Sequence, residues 1–259
     1  MHPSINGWID VNNRSLQTNM RLGAVLAFVA GAANAGGFLA VGTYTSHMTG
    51  VVSALADQLV LGNVVLAAAA FGALAAFLLG AMTTAWLVNW GLREKLASAY
   101  GLPLLLESVL LLIFGIFGAV ISLWSQFFVP LTVVLLCFIM GLQNAVITKI
   151  SKAEIRTTHV TGLVTDLGIE LGKLLYINRA AAKPNDPNPA EPVRANRPKL
   201  RLHLTLVSSF FIGAVCGALG FKFVGYISTV PLAALLLLLV WRPVLHDVLE
   251  RRPHWRKRE

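Results

Sequence analysis

The sequence predicts an all-α membrane protein: a bundle of six transmembrane helices and two short motif helices, built from two inverted repeats of three spans each. Composition, the lengths of the apolar runs and an internal repeat support this. Hydrophobic residues make up 56% of the 259 residues and charged residues only 13%, with a mean hydropathy of +0.70. Because soluble domains carry about 25% charged residues, the chain belongs in a membrane.

Six apolar runs are long enough to cross a bilayer, which takes roughly 20 residues of helix. The predicted spans are 22–41, 64–90, 103–124, 130–147, 204–223 and 224–241. Aromatic residues near their ends fit interfacial anchoring, and small residues spaced four apart fit close helix packing.

A polar motif occurs twice within this apolar background. Ser-His-Met-Thr-Gly at 46–50 returns as Thr-His-Val-Thr-Gly at 158–162, and each copy follows an Asn-Ala pair, at 34–35 and 144–145. The Asn-to-His spacing is 13 residues in the first copy and 15 in the second. Each motif predicts a short helix, at about 47–61 and 158–176. Such paired copies commonly bring their polar residues to one central site.

The placement of Lys and Arg sets the predicted topology. With six spans and both termini cytoplasmic, 20 of the 21 basic residues lie inside, whereas eight spans would put 6 of 21 outside. Cytoplasmic loops are enriched in these residues, so six spans are favoured. Each repeat, 21–124 and 129–246, then makes three crossings, which requires the two copies to be inverted.

The whole chain, 1–259, is predicted to be a single membrane domain with this topology. Residues 178–199 form a Pro-rich cytoplasmic linker and 242–259 a basic tail on the inner leaflet. The polar first 20 residues are not expected to form a cleaved signal peptide. The net charge is +9, and the basic residues flank the spans. This placement favours contact with anionic lipid at the cytoplasmic face and argues against nucleic-acid binding.

The motif repeats supply the candidate binding residues. Ser46 or Thr158 is expected to cap a helix start, whose free amides and positive dipole end can hold an anion. The side chains assigned to solute binding are His47, Thr49, Thr158, His159, Thr161, Asn34 and Asn144. The alternative is that these residues only clasp neighbouring helices, and for the two asparagines the clasp is slightly favoured.

Acidic groups in apolar surroundings supply the candidates for ion coupling, since burying one costs of order 2.5–3.5 kcal/mol. Asp57 has no basic neighbour in sequence and is the first choice. Asp166 and Glu170 are further candidates, although a structural ion-pair ladder with Lys173 is equally expected. Glu107 is expected to lie near the cytoplasmic interface, without a function.

The sequence contains no motif for a nucleotide, a metal or a cofactor, and adjacent Ser46 and His47 are a poor nucleophile–base pair, so no enzyme is expected. The two cysteines, Cys137 and Cys216, are expected to be small buried apolar side chains.

Gly-Leu-Gln-Asn-Ala at 141–145, Arg-Thr-Thr-His-Val-Thr-Gly at 156–162 and Ser-His-Met-Thr-Gly at 46–50 resemble the YoaK family. The resemblance spans residues 22–241 and implies a multi-span protein of the bacterial inner membrane, suspected of transport, with no known substrate. That family frequently has an acidic residue where Asn34 stands. The expected function is a secondary transporter or permease for a small solute, with anions a candidate class. The rivals are a non-transporting scaffold or accessory subunit and, less favoured, an intramembrane enzyme; homo-oligomerisation stays open.

Overall fold

The computed structural model describes residues 16–121, 125–151, 157–177 and 192–255. These residues form eight α-helices and one 3-10 turn, with no strand among them. The helices are α1 (Leu16–Val41), α2 (Met48–Val60), α3 (Val64–Arg93), α4 (Gly101–Ile121), α5 (Ser125–Ile150), α6 (Val160–Leu175), α7 (Arg197–Val224) and α8 (Thr229–Trp255), and the turn is Gly225–Ser228. The all-helical fold class is confirmed.

Four stretches of the described chain are long and apolar enough to cross a membrane: Gln17–Val41, Val64–Arg93, Pro130–Ile150 and Arg197–Leu249. The last one contains α7, the 3-10 turn and α8 as far as Leu249. Helix α4 is apolar over the shorter stretch Gly101–Ile116. The chain is therefore a membrane-embedded helical protein, and the count of six spans stays a prediction.

Helices extend into the segments that were predicted to be a linker and a tail. The end of the supposed linker is helical, because α7 begins at Arg197 with Pro198 in its first turn and Asn196 as its N-cap, whose side chain accepts from the Lys199 amide at 3.1 Å. The tail is helical to Trp255, because α8 continues past the last apolar residues. Residues 178–191 and 256–259 lie outside the described chain.

Helices α1 and α7 pack against each other through glycines. A Cβ on Gly31 would collide with the carbonyl oxygen of Phe210, and one on Gly213 would collide with the carbonyl oxygen of Phe28. Each glycine therefore removes the side chain that would hold the two backbones apart, as is typical of membrane helix pairs.

Helices α3 and α5 repeat this arrangement with matching residues. A Cβ on Gly80 would collide with the carbonyl oxygen of Phe138, and one on Gly141 with that of Phe77. The two pairs share a sequence pattern, because Phe-x-x-Gly occurs at 28–31 and 138–141 in α1 and α5, and Phe-x-x-Gly-Ala occurs at 77–81 and 210–214 in α3 and α7. The first helix of each half thus packs on the third helix of the other half.

Helices α4 and α8 complete the bundle. The Ser108 hydroxyl donates to the Ala233 carbonyl at 2.9 Å, and the Thr229 hydroxyl donates to the Leu111 carbonyl at 3.0 Å. Near the other end of α8, the Asp247 carboxylate accepts from the backbone amides of Ala97 at 3.0 Å and Ser98 at 2.8 Å, which ties the loop before α4 to α8.

Candidate functional site

An asparagine tethers each motif to the helix before it. The Asn34 side-chain oxygen accepts from the Ser46 amide at 3.1 Å, and the Asn144 side-chain oxygen accepts from the Thr158 hydroxyl at 2.7 Å. Asn34 lies seven residues before the end of α1 and Asn144 six before the end of α5, about 10 Å back along each helix. Ser46 and Thr158, which directly precede the motif histidines, therefore lie beside the preceding helix, about 10 Å back from its end.

The N-cap residues are His47 and His159, not Ser46 and Thr158 as expected. Both histidines have non-helical backbone angles and neither side chain makes a capping hydrogen bond. The hydroxyl of Thr158 is committed to Asn144 instead. Within the described chain, the first-turn amides of Thr49 and Thr161 have no hydrogen-bond partner. Each motif helix thus presents unpaired donors at its positive end.

The glycine of each motif makes room for the imidazole ring. A Cβ on Gly50 would lie 2.6 Å from Nε2 of His47, and a Cβ on Gly162 would lie 2.6 Å from Nε2 of His159. Both distances are far below van der Waals contact, so any other residue would displace the ring. This explains the His-x-x-Gly spacing in physical terms.

The two motif starts line one cavity of about 620 Å³, within the usual size range of small-molecule sites. From the first half come residues 46–49 with Phe77 and Ala81 of α3, and from the second half residues 158–161 with Gly141, Asn144, Ala145, Thr148 and Lys149. His47, Thr49, Thr158, His159, Thr161 and Asn144 therefore meet at one place. Asn34, in contrast, is buried and does not line this cavity.

Sequence reasoning missed two features of this site. Lys149, treated only as a loop charge, lines the cavity and donates to the Asn89 side-chain oxygen at 2.8 Å. Thr45 and Thr157 precede the two motifs at matching positions and are both buried, with hydroxyl oxygens that have no partner among the described residues. The match of these threonines was visible in sequence; the fold around Lys149 was not. Arg156, which directly precedes the second motif, lies outside the described residues.

None of the three coupling candidates lines the cavity. Asp57 is exposed on α2, and its carboxylate has no partner among the described residues. Asp166 pairs with Lys199 at 3.3 Å and lies 3.8 Å from Nε2 of His203, both on α7, so it does not extend a ladder to Lys173 as expected.

Glu170 is buried, and both oxygens of its carboxylate accept a hydrogen bond. It accepts from Lys173 Nζ at 2.8 Å and from the Asn196 amide at 2.6 Å. These hydrogen bonds, the one from Lys173 first, hold the pKa of Glu170 below its ordinary value. The geometry favours a structural role, which is to join α6 to the start of α7.

The described cysteines are both free; Cys137 is buried as expected, whereas Cys216 is exposed.

Fold and site together define a membrane-embedded helical protein whose polar motif residues converge between its two halves. The chain belongs to the DUF1275 family of proteins of unknown function, whose family profile matches residues 22–241. This membership is compatible with the resemblance to the YoaK family. No curated protein and no solved structure matches the chain.

Proposed function

We propose that the protein is a secondary transporter for a small anionic solute, which binds in the cavity between the two motif helix starts. The observation that carries this proposal is that one cavity is lined by matching positions of both repeats. These positions are the histidine, its neighbour on either side and the threonine that follows. A clasp would require the motifs to be packed against protein, but His47, Thr49, His159 and Thr161 are all exposed to this space.

The charge of the site favours an anion. Two helix N-termini offer unpaired amides, Lys149 adds a positive charge, and the imidazoles of His47 and His159 can donate hydrogen bonds. None of the described acidic residues lines the cavity. The amides and the hydroxyls of Thr49 and Thr161 are suited to the oxygens of a small carboxylate or oxyanion.

The cavity is asymmetric, because it borders only one of the two equivalent pairs of helices. This asymmetry supports alternating access. It borders α3 and α5 at Phe77, Ala81 and Asn144. The matching positions on α7 and α1, which are Phe210, Ala214 and Asn34, do not line it. In transporters built from inverted repeats, exchanging the conformations of the two halves moves the opening from one face to the other. If both termini are cytoplasmic, as the placement of Lys and Arg predicts, the Lys149 end of α5 and the cavity beside it lie toward the cytoplasm.

A ligand screen on the purified protein tests this proposal. A solute present at 100 times its Kd stabilises the folded protein by about 2.7 kcal/mol, so small anions that bind will raise the unfolding temperature. We expect Thr161→Val to lose that response. Thr165→Val is the matched control, because the Thr165 hydroxyl lies one turn further along α6, outside the cavity, and bonds to the Thr161 carbonyl at 2.9 Å.

Uptake into proteoliposomes of the solute found in this way then tests transport. Binding without uptake would contradict the transporter and favour a scaffold or sensor. An equal thermal response in wild type and Thr161→Val would remove the motif cavity as the binding site.

A further inference from the structure

Glu107 is the most deeply enclosed charged-type side chain in the described chain. It is 0% exposed, and neither carboxyl oxygen has a hydrogen-bond partner among the described residues. This enclosure is not expected from the sequence, whereas a location near the cytoplasmic interface stays a prediction. Other buried acids in the protein are bonded: Glu170 by Lys173 and an amide, and Asp247 by two amides.

The position of Glu107 explains its enclosure. It lies six residues into α4, about 9 Å from the start of the helix. Its neighbour Ser108 bonds to the Ala233 carbonyl of α8 at 2.9 Å. Leu104 and Leu111, one turn before and one turn after Glu107, belong to the main apolar core. The carboxyl group is thus enclosed in the helix bundle, and α8 contacts α4 at the adjacent residue, Ser108.

No opposite charge compensates this carboxyl group. Helix α4 packs on α8, α5, α3 and the 3-10 turn. Among the residues whose side chains the structure describes, the charged or titratable ones on these elements are Arg242, His246, Asp247, Lys149, Arg93, Tyr226 and Cys137. Among the described residues none of these forms an ion pair or hydrogen bond with Glu107, while Asp247 and Lys149 are bonded elsewhere. An ionised carboxylate with no partner is so costly to bury that the group takes a proton instead.

We propose that Glu107 is a proton-binding site of this protein, protonated in the conformation described here and able to release its proton only when α4 separates from α8. Separation would admit water, which both stabilises the carboxylate and accepts the proton. Protonation would then favour the closed α4–α8 contact and ionisation the open one. The role of this site in coupling rests on the proposed transport function; its protonation does not.

Infrared spectroscopy of the purified full-length chain tests the protonation directly. At neutral pH the wild type should give the carbonyl stretching band of a protonated carboxylic acid, and Glu107→Gln should lose it. Glu170→Gln is the matched control and should keep the band, because Glu170 is an ionised carboxylate bonded to Lys173. Absence of the band from the wild type, or its persistence in Glu107→Gln, would overturn the proposal.

Stability gives a second readout. Glutamine resembles the neutral acid, so Glu107→Gln should unfold at or above the wild-type temperature, whereas Glu170→Gln should unfold below it. A Glu107→Gln protein that fails to fold, or that loses as much stability as the control, would contradict a neutral side chain.

If uptake of a solute is observed, Glu107→Gln should abolish its dependence on a pH gradient. Unchanged dependence would overturn the coupling role, and sodium dependence in place of pH dependence would overturn the proton as the ion. A wild type with no uptake at all would defeat the transporter proposal, while the infrared band would still decide the protonation.

Discussion

The close packing of α3 on α5 predicts a large penalty for a single added methyl group at Gly80. In Gly80→Ala the new Cβ would lie 3.0 Å from the Leu142 backbone nitrogen and closer still to the Phe138 carbonyl oxygen. Backbone atoms cannot rotate aside, so the two helices must separate, and overpacking of this kind costs about 1–3 kcal/mol. The same residue change also gains about 1 kcal/mol because alanine is the better helix former, which would mask part of the loss.

Gly72→Ala removes this ambiguity. Gly72 lies on the same helix, and a Cβ there would meet nothing within 4 Å. The gain in helix propensity then cancels between the two variants. We expect the free energy of unfolding of Gly80→Ala to be about 1–3 kcal/mol below that of Gly72→Ala, measured by reversible denaturation in detergent micelles. Equal stabilities would refute the described contact between α3 and α5.

Two further predictions concern the second motif helix. Gly162→Ala should leave unfolding close to wild type, since about 1 kcal/mol of helix propensity offsets displacement of the exposed His159 ring, but it should abolish the thermal response to a bound solute. Gly168→Ala, where a Cβ meets nothing within 4 Å, should keep that response. The hydrogen bond from Lys173 lowers the pKa of Glu170 from its ordinary value of 4.5. The ionised Glu170 side chain therefore stabilises the fold fully above pH 4.5, and this stabilisation is lost as the pH falls through the lowered pKa. Thermal unfolding in acid should therefore depend less on pH in Glu170→Gln than in the wild type; identical profiles would contradict this.

The fold class and the meeting of the two motifs were predictable because each has a local signal. Long apolar runs predict helices whatever surrounds them, and a repeated polar motif in an apolar background predicts a shared location. The tethers from Asn34 and Asn144 also follow from the repeat, because both asparagines precede their motif at a similar spacing.

The remaining features depend on which helices become neighbours. Asp166 pairs with Lys199, which lies on another helix, and not with Lys173, which is closer in sequence. Glu107 lies near the start of an apolar run, and its burial depends on the helices that pack on α4. The extension of α8 was hidden because its basic residues are typical of a solvated tail. The Phe-x-x-Gly repeat was present in the sequence, but its role emerged only from the contacts between α1 and α7.

Labelling of a single cysteine at position 161 tests the central claim most directly. Thr161→Cys is made with Cys137 and Cys216 replaced, and a membrane-impermeant thiol reagent is applied to each face of oriented vesicles. Leu163→Cys, two residues further along α6 and buried, is the control and should stay unlabelled. A transport site between the motif starts predicts that position 161 is labelled from the cytoplasmic face and, in the alternate state, from the outer face. Labelling from one face only under every condition, or protection from both, would contradict alternating access at this cavity.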